Sequence, residues 1–182
     1  AQEGVTTLRD VTSPHEELLR YKQNLEVQDD PHLARLLMSG PCFEVPGGRA
    51  ETYNRVIINS VEDAREKAED LLDDGADVLK LYFEDGSIFG ESWKVITTEE
   101  ARMIVKVAHG RGRLVTAHVQ EAYLVEQALD AAPLRESAAD ELVRLSGGLP
   151  VLLLVDIPYR DQHGDALGGG HPHRAPFDLS DP

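Results

Sequence analysis

The chain has 182 residues, a formal net charge of −15, and 41% hydrophobic but only 5% aromatic residues. That length suits one domain with an aliphatic core, and that charge repels both nucleic-acid phosphates and anionic membrane surfaces. Cys42 is the only cysteine, which excludes an intrachain disulfide and points to a reducing, cytoplasmic setting. No run reaches the ~18–20 apolar residues of a membrane span, and AQEGVTTLRD lacks the regions of a signal peptide.

Gly4–Asp10 (GVTTLRD) reads as a short strand. Residues Ser13 to Leu25 carry a helical pattern through Leu18, Leu19, Tyr21 and Leu25. Leu33 to Met38 is a short apolar patch, and the Gly- and Pro-rich stretch from Gly40 to Arg55 reads as a long loop. Ser60 and Asp63 form an S-x-x-D cap ahead of an apolar stripe, Val61, Ala64, Ala68, Leu71 and Leu72. Gly75 closes that helix as a left-handed cap, and the strand VLKLYF follows at once. The pattern repeats: Thr97 and Glu100 form a capping box, the helix runs to Gly110 or Gly112, and the strand LVTAHV ends near His118. Glu121–Ala131 and Glu136–Leu145 are further helix candidates. Pro150–Ile157 (PVLLLVDI) reads as a parallel strand buried on both faces. Strands alternating with helices predict a parallel α/β fold. Residues 1–158 are read as one unit, and 159–182 as an irregular His-, Gly- and Pro-rich tail.

Two residues do not belong in an aliphatic core. In an alternating strand Lys80 shares a face with Val78 and Tyr82, and His118 shares one with Leu114 and Thr116. On neighbouring parallel strands both can point to the same side; Lys80 sits mid-strand, and His118 sits at the C-terminal end of its strand, where α/β chemistry gathers. A buried ammonium is costly unless paired or deprotonated. Lys80 is therefore either a core lysine paired to a carboxylate such as Asp10, a lysine that snorkels to a strand end, or a functional group.

The stretches GVTTLRD, GADVLKLY and AHGRGRLVTAHV, in this order, resemble the second-, fourth- and fifth-strand motifs of the metal-dependent amidohydrolase superfamily. The likeness is to its imidazolonepropionase-like and prolidase-like members and covers roughly residues 4–132. It implies a TIM-type (β/α)8 barrel with one or two divalent metal ions, commonly zinc, and hydrolysis of amide or cyclic amide C–N bonds by a metal-bound hydroxide. By the same resemblance Lys80 is a carboxylated metal ligand, His118 a nitrogen ligand to metal, and Tyr82 a substrate contact. The carbamate would also turn a costly buried cation into an anionic oxygen donor.

The family's H-x-H pair lies upstream of GVTTLRD, where only Ala1–Glu3 stand. Its sixth-strand histidine and eighth-strand aspartate have no clear counterpart, although Asp156 ends a strand-like run. A complete barrel takes about 250 residues, so the barrel is expected to be incomplete in this chain. His171-Pro172-His173 is read as a polar tail with adventitious metal affinity. The expected partners are a small-molecule amide-type substrate and a homo-oligomer that completes the barrel, with neither nucleic acid nor membrane. The competing expectation is a catalytically incomplete α/β module that acts by binding or assembly.

Overall fold

The computed structural model describes residues 4–28, 30, 32–49 and 54–131, together with the backbone of a last strand, Leu153–Ile157. In chain order the elements are β1 (Thr7–Asp10), α1 (His15–Gln28), β2 (Arg35–Met38), β3 (Cys42–Glu44), β4 (Arg55–Ile57) and α2 (Val61–Asp73). They continue with β5 (Val78–Phe83), a 3-10 turn (Ser87–Phe89), α3 (Thr98–Gly110), β6 (Leu114–Val119), α4 (Ala122–Asp130) and β7 (Leu153–Ile157). The helix candidate at 136–145 and the tail at 159–182 lie outside the described residues.

β1 and β2 pair in parallel, and a second sheet has the order β4-β3-β5-β6-β7. Ser39-Gly40-Pro41 is all that separates β2 from β3. The segment from Arg35 to Glu44 thus acts as one interrupted strand, paired to β1 in its first half and to β5 in its second. Asp77 ties the halves together. Its N–H donates to the Met38 carbonyl at 2.8 Å, and its carboxylate accepts the Met38 N–H at 3.1 Å. Gly40 sits at the interruption with φ +65°, and a Cβ there would lie 2.5 Å from His15 Nδ1. The sequential order β1, β2/β3, β5, β6, each joined by helices, is that of a parallel (β/α) barrel wall.

The caps form as the sequence predicts. Ser60 Oγ accepts the Asp63 N–H at 3.1 Å, while the Asp63 carboxylate accepts from Asn59 rather than from Ser60. Thr97 and Glu100 form a reciprocal box, with Glu100 N–H donating to Thr97 Oγ1 at 3.2 Å and Thr97 N–H to Glu100 Oε2 at 2.9 Å. Gly75 adopts φ +108° directly before β5. α2, α3 and α4 each turn an apolar face to the sheet, whereas α1 buries no residue. Ala64, Ala68 and Leu71 of α2, Ala101, Ile104 and Ala108 of α3, and Leu124 and Ala128 of α4 pack with Phe43, Leu79, Leu81, Phe83, Val115, Ala117 and Val119.

Two expectations are corrected. The stretch 40–55 is not all loop: it holds β3 and the start of β4, because Cys42 and Phe43 are fully buried and Cys42 N–H bonds the Asn54 carbonyl at 3.0 Å. β7 is not parallel: it pairs antiparallel with β6, with Val119 opposite Leu153 and Val115 opposite Ile157. A continuous apolar run fits a strand of either direction, so composition could not decide this.

Leu81 is fully buried in the central strand. Leu81→Ala is expected to destabilise by about 2–5 kcal/mol, whereas Tyr21→Ala on exposed α1 changes stability by no more than about 0.5 kcal/mol. Urea unfolding curves measure both.

Candidate functional site

The apolar cluster takes the odd residues of β5 and β6, so the even residues line the opposite face of the sheet. There the register sets Lys80 beside Thr116 and Tyr82 beside His118. The pairing of Phe43 with Leu81 sets Cys42 and Glu44 on this same face of β3. Glu84 extends the parity one step past the end of β5. The expectation that Lys80 and His118 share one face is therefore met, and the shared face is polar: Glu44, Lys80, Glu84 and Thr116 are all buried.

His118 stacks on Tyr82, with ring centroids 4.3 Å apart and planes 9° from parallel. Its Nε2 lies 3.2 Å from Glu84 Oε2 and 3.1 Å from the Gln120 side-chain amide nitrogen. Burial, together with the Lys80 and Arg49 cations, lowers the His118 pKa to about 4. The ring is therefore neutral at pH 7. A neutral imidazole is the form that ligates metal.

Arg49 arrives on the loop after β3. Its guanidinium donates to the Tyr82 hydroxyl and, at 3.4 Å, to Glu84 Oε2, and it lies 5.8–5.9 Å from the ring centres of Tyr82, Phe89 and Trp93. Burial, followed by the Glu84 carboxylate, pushes the Tyr82 hydroxyl up to about 12, so it stays protonated. Arg55 donates to Glu44 Oε2 at 3.3 Å, while burial raises the Glu44 pKa. Glu44 needs a neighbour without a side chain: a Cβ on Gly48 would lie 2.6 Å from Glu44 Oε1.

Glu44, Glu84, Arg49 and Arg55 were not singled out by sequence reasoning. Glu84 was within reach, since it continues the alternation of Lys80 and Tyr82. The other three lie in or beside the stretch read as loop. The buried oxygens Glu44 Oε1, Glu84 Oε1 and Thr116 Oγ1 have no hydrogen-bond partner among the described residues. Such unsatisfied polar atoms in a protein interior call for a ligand, water or ion.

The donor chemistry fits a divalent cation at Lys80 and His118 in two respects: the imidazole is neutral and partly buried, and Lys80, 3% exposed, is close enough for its charge to act on both His118 and Cys42. Among the described residues, no group of three or more His, Cys, Asp or Glu could hold a metal ion. The side chain of Asp156 and the residues His171 and His173 lie outside the described set. No helix among the described residues is long and apolar enough to cross a membrane.

No family model and no curated protein matches the chain. Solved structures do match in fold. An amidohydrolase aligns at 22% identity and TM-score 0.62, over 81% of this chain and 42% of that one. A protein assigned as a prolidase from Bifidobacterium longum aligns at 25% identity and TM-score 0.61, over 72% and 32%. The A. niger ochratoxinase aligns at 18% identity and TM-score 0.63, over 80% and 41%. The chain thus has the fold of part of an amidohydrolase barrel, as its motifs imply, and spans about two fifths of the length of most of these structures.

Two outcomes follow for solution chemistry. The folded His118 value lies below its ordinary 6.5, so the unfolded chain takes up a proton first as pH falls. The stability that this ring contributes above about pH 6.5 should be lost between about 6.5 and 4. In the metal-free protein its NMR ring signals should stay those of the neutral form down to about pH 5. Cys42 is fully buried and its thiol is pushed up to about 11 by burial and then Glu44. It should therefore resist iodoacetamide at pH 8 until urea unfolds the chain, as mass spectrometry reads.

Proposed function

We propose that this chain carries part of the active site of a metal-dependent hydrolase acting on amide or cyclic amide C–N bonds, with Lys80 and His118 as metal ligands. One observation carries the reading. A buried lysine in the middle of β5 and a partly buried neutral histidine near the C-terminal end of β6 share one face of adjacent parallel strands, in a fold shared with amidohydrolases and prolidases. Lys80 in its neutral form would add carbon dioxide at Nζ, forming an N–C bond and releasing one proton. The resulting carbamate would present oxygen donors beside the His118 imidazole. A divalent cation held there, zinc above all, supplies Lewis acidity, which polarises a carbonyl and acidifies water.

The remaining residues have roles that follow from their own chemistry. Tyr82 holds one face of the His118 ring, and in this reading its protonated hydroxyl, bound by Arg49, contacts substrate. Arg49 and Arg55 neutralise the buried carboxylates of Glu84 and Glu44, so that face can stay dry without an uncompensated charge. The setting is cytoplasmic and the substrate a small molecule.

A second reading keeps the fold but assigns this chain no independent activity. It draws on the absence, among the described residues, of any group of three or more His, Cys, Asp or Glu that could hold a metal ion. In this reading the chain acts by binding or assembly, and a second copy completes the barrel.

Metal analysis separates the two. Full-length chain produced with added zinc and bicarbonate should carry zinc by elemental mass spectrometry. Lys80→Ala and His118→Ala should each reduce the bound metal at least about tenfold while keeping the wild-type circular dichroism spectrum. A wild-type chain without zinc, or zinc retained by both variants, sinks the hydrolase assignment for this chain.

A further inference from the structure

We propose that residues 85–93, between β5 and α3, form a lid beside the polar face, latched to the head of α4 by Tyr123 and Glu121. Its role as a gate deepens the reading given under Proposed function and rests on it; the latch itself does not.

The segment is one compact piece. The Trp93 N–H donates to the Asp85 carbonyl at 2.7 Å, and the Phe89 and Glu91 N–H groups both donate to the Gly86 carbonyl, at 2.9 and 3.0 Å. Asp85 Oδ1 accepts the Ser87 N–H at 2.8 Å. Gly86 and Gly90 flank the 3-10 turn at φ +81° and +73°, and a Cβ on Gly86 would lie 2.8 Å from Trp93 Cδ2. Such glycines let the backbone close this tightly, and they let the closed piece swing as a unit.

The ties from this piece to the rest of the protein are polar. Tyr123 donates its hydroxyl to Asp85 Oδ2, and Ser87 Oγ donates to Glu121 Oε1 at 3.4 Å. Just past its end the Lys94 N–H donates to the Gly47 carbonyl at 2.8 Å, and the Arg49 guanidinium lies over the Phe89 and Trp93 rings. None of residues 85–93 belongs to the apolar core cluster, and Ile88 and Phe89 are exposed. A loop without a buried apolar anchor opens at a cost set by its polar ties.

The Tyr123–Asp85 bond is the strongest of these. The Tyr123 hydroxyl holds the Asp85 carboxyl down to about 2, while burial, followed by Asp85, pushes the hydroxyl up to about 12. Around neutral pH the donor keeps its proton and the acceptor its charge, so the bond is charge-assisted.

The lid meets the site at two places. Asp85 directly follows Glu84, whose Oε2 lies 3.2 Å from His118 Nε2. The guanidinium beside Phe89 and Trp93 is the one that donates to the Tyr82 hydroxyl. Latched, the lid screens the stacked Tyr82 and His118 rings; released, it opens the approach to them for a small molecule.

Trp93 is the only tryptophan, so its fluorescence reports the lid alone. The test uses the metal-free full chain at pH 7. Tyr123→Phe keeps the ring and removes the donor, and Tyr21→Phe on exposed α1 is the control. Tyr123→Phe should speed amide hydrogen exchange of residues 86–93 about tenfold or more and leave α2 and α3 at wild-type rates. It should also increase acrylamide quenching of Trp93 and speed diethyl pyrocarbonate modification of His118 several-fold, as peptide mass spectrometry reads. Tyr21→Phe should change none of these. Exchange and quenching unaltered by Tyr123→Phe overturn the latch. So do wild-type residues 86–93 that exchange as fast as an unstructured peptide, a result that needs no variant to fold. Faster exchange with His118 modified at the wild-type rate overturns the gate. A chain that binds no zinc overturns the hydrolase reading and the gate's place in it, while the exchange rates still decide the latch.

Discussion

The in-register parallel ladder between β5 and β6 is the constraint on which the rest depends. It runs without a bulge from Val78 beside Leu114 to Phe83 beside Val119. A parallel ladder aligns equal parities, so one choice of register settles two layers at once. Leu79, Leu81 and Phe83 join Val115, Ala117 and Val119 against α2, α3 and α4. Lys80, Tyr82 and His118 are thereby committed to the opposite face. The helices stabilise the site without touching it: their apolar packing holds the register, and the register brings Tyr82 and His118 into stacking contact.

The polar face satisfies a demanding electrostatic condition. Its carboxylates are buried, and each has a guanidinium partner, Arg55 for Glu44 and Arg49 for Glu84. Both arginines lie outside β5 and β6. A buried charge left unpaired costs several kcal/mol, whereas a paired one is close to neutral in its net effect. The loop after β3 and the start of β4 are therefore bound to the site through charge as well as backbone. The aromatic rings around the Arg49 guanidinium limit the positions it can take.

How much of this the sequence disclosed depends on the range of the signal. Caps were legible because Ser60 with Asp63 and Thr97 with Glu100 are local, and four consecutive residues contain the whole interaction. Strand parity was legible because alternation is local too, and it placed Lys80 and His118 on one side. What alternation cannot carry is partnership. Nothing near Glu44 in sequence reports that it meets Arg55, and nothing near His118 reports Glu84. The short β3 was hidden by the glycines and prolines around it, although Cys42-Phe43 is as buried as any strand interior. The direction of β7 was hidden for another reason: an apolar run specifies burial, and burial is indifferent to whether the neighbouring strand runs up or down.

All six residues of β5 are buried, yet they face two different media. The odd residues meet hydrocarbon, and the even ones meet charge. The strand is in effect a partition one backbone thick, and the identity of each side chain is correct only for its own side. Length is therefore more sharply constrained here than composition. One residue inserted before Lys80 would turn the following side chains over, driving Lys80 and Glu84 toward the helices and delivering Leu81 and Phe83 to the polar face. An aliphatic swap at Leu79 or Leu81 keeps the partition intact, so drift in the identity of these residues is cheap, and drift in their number is not.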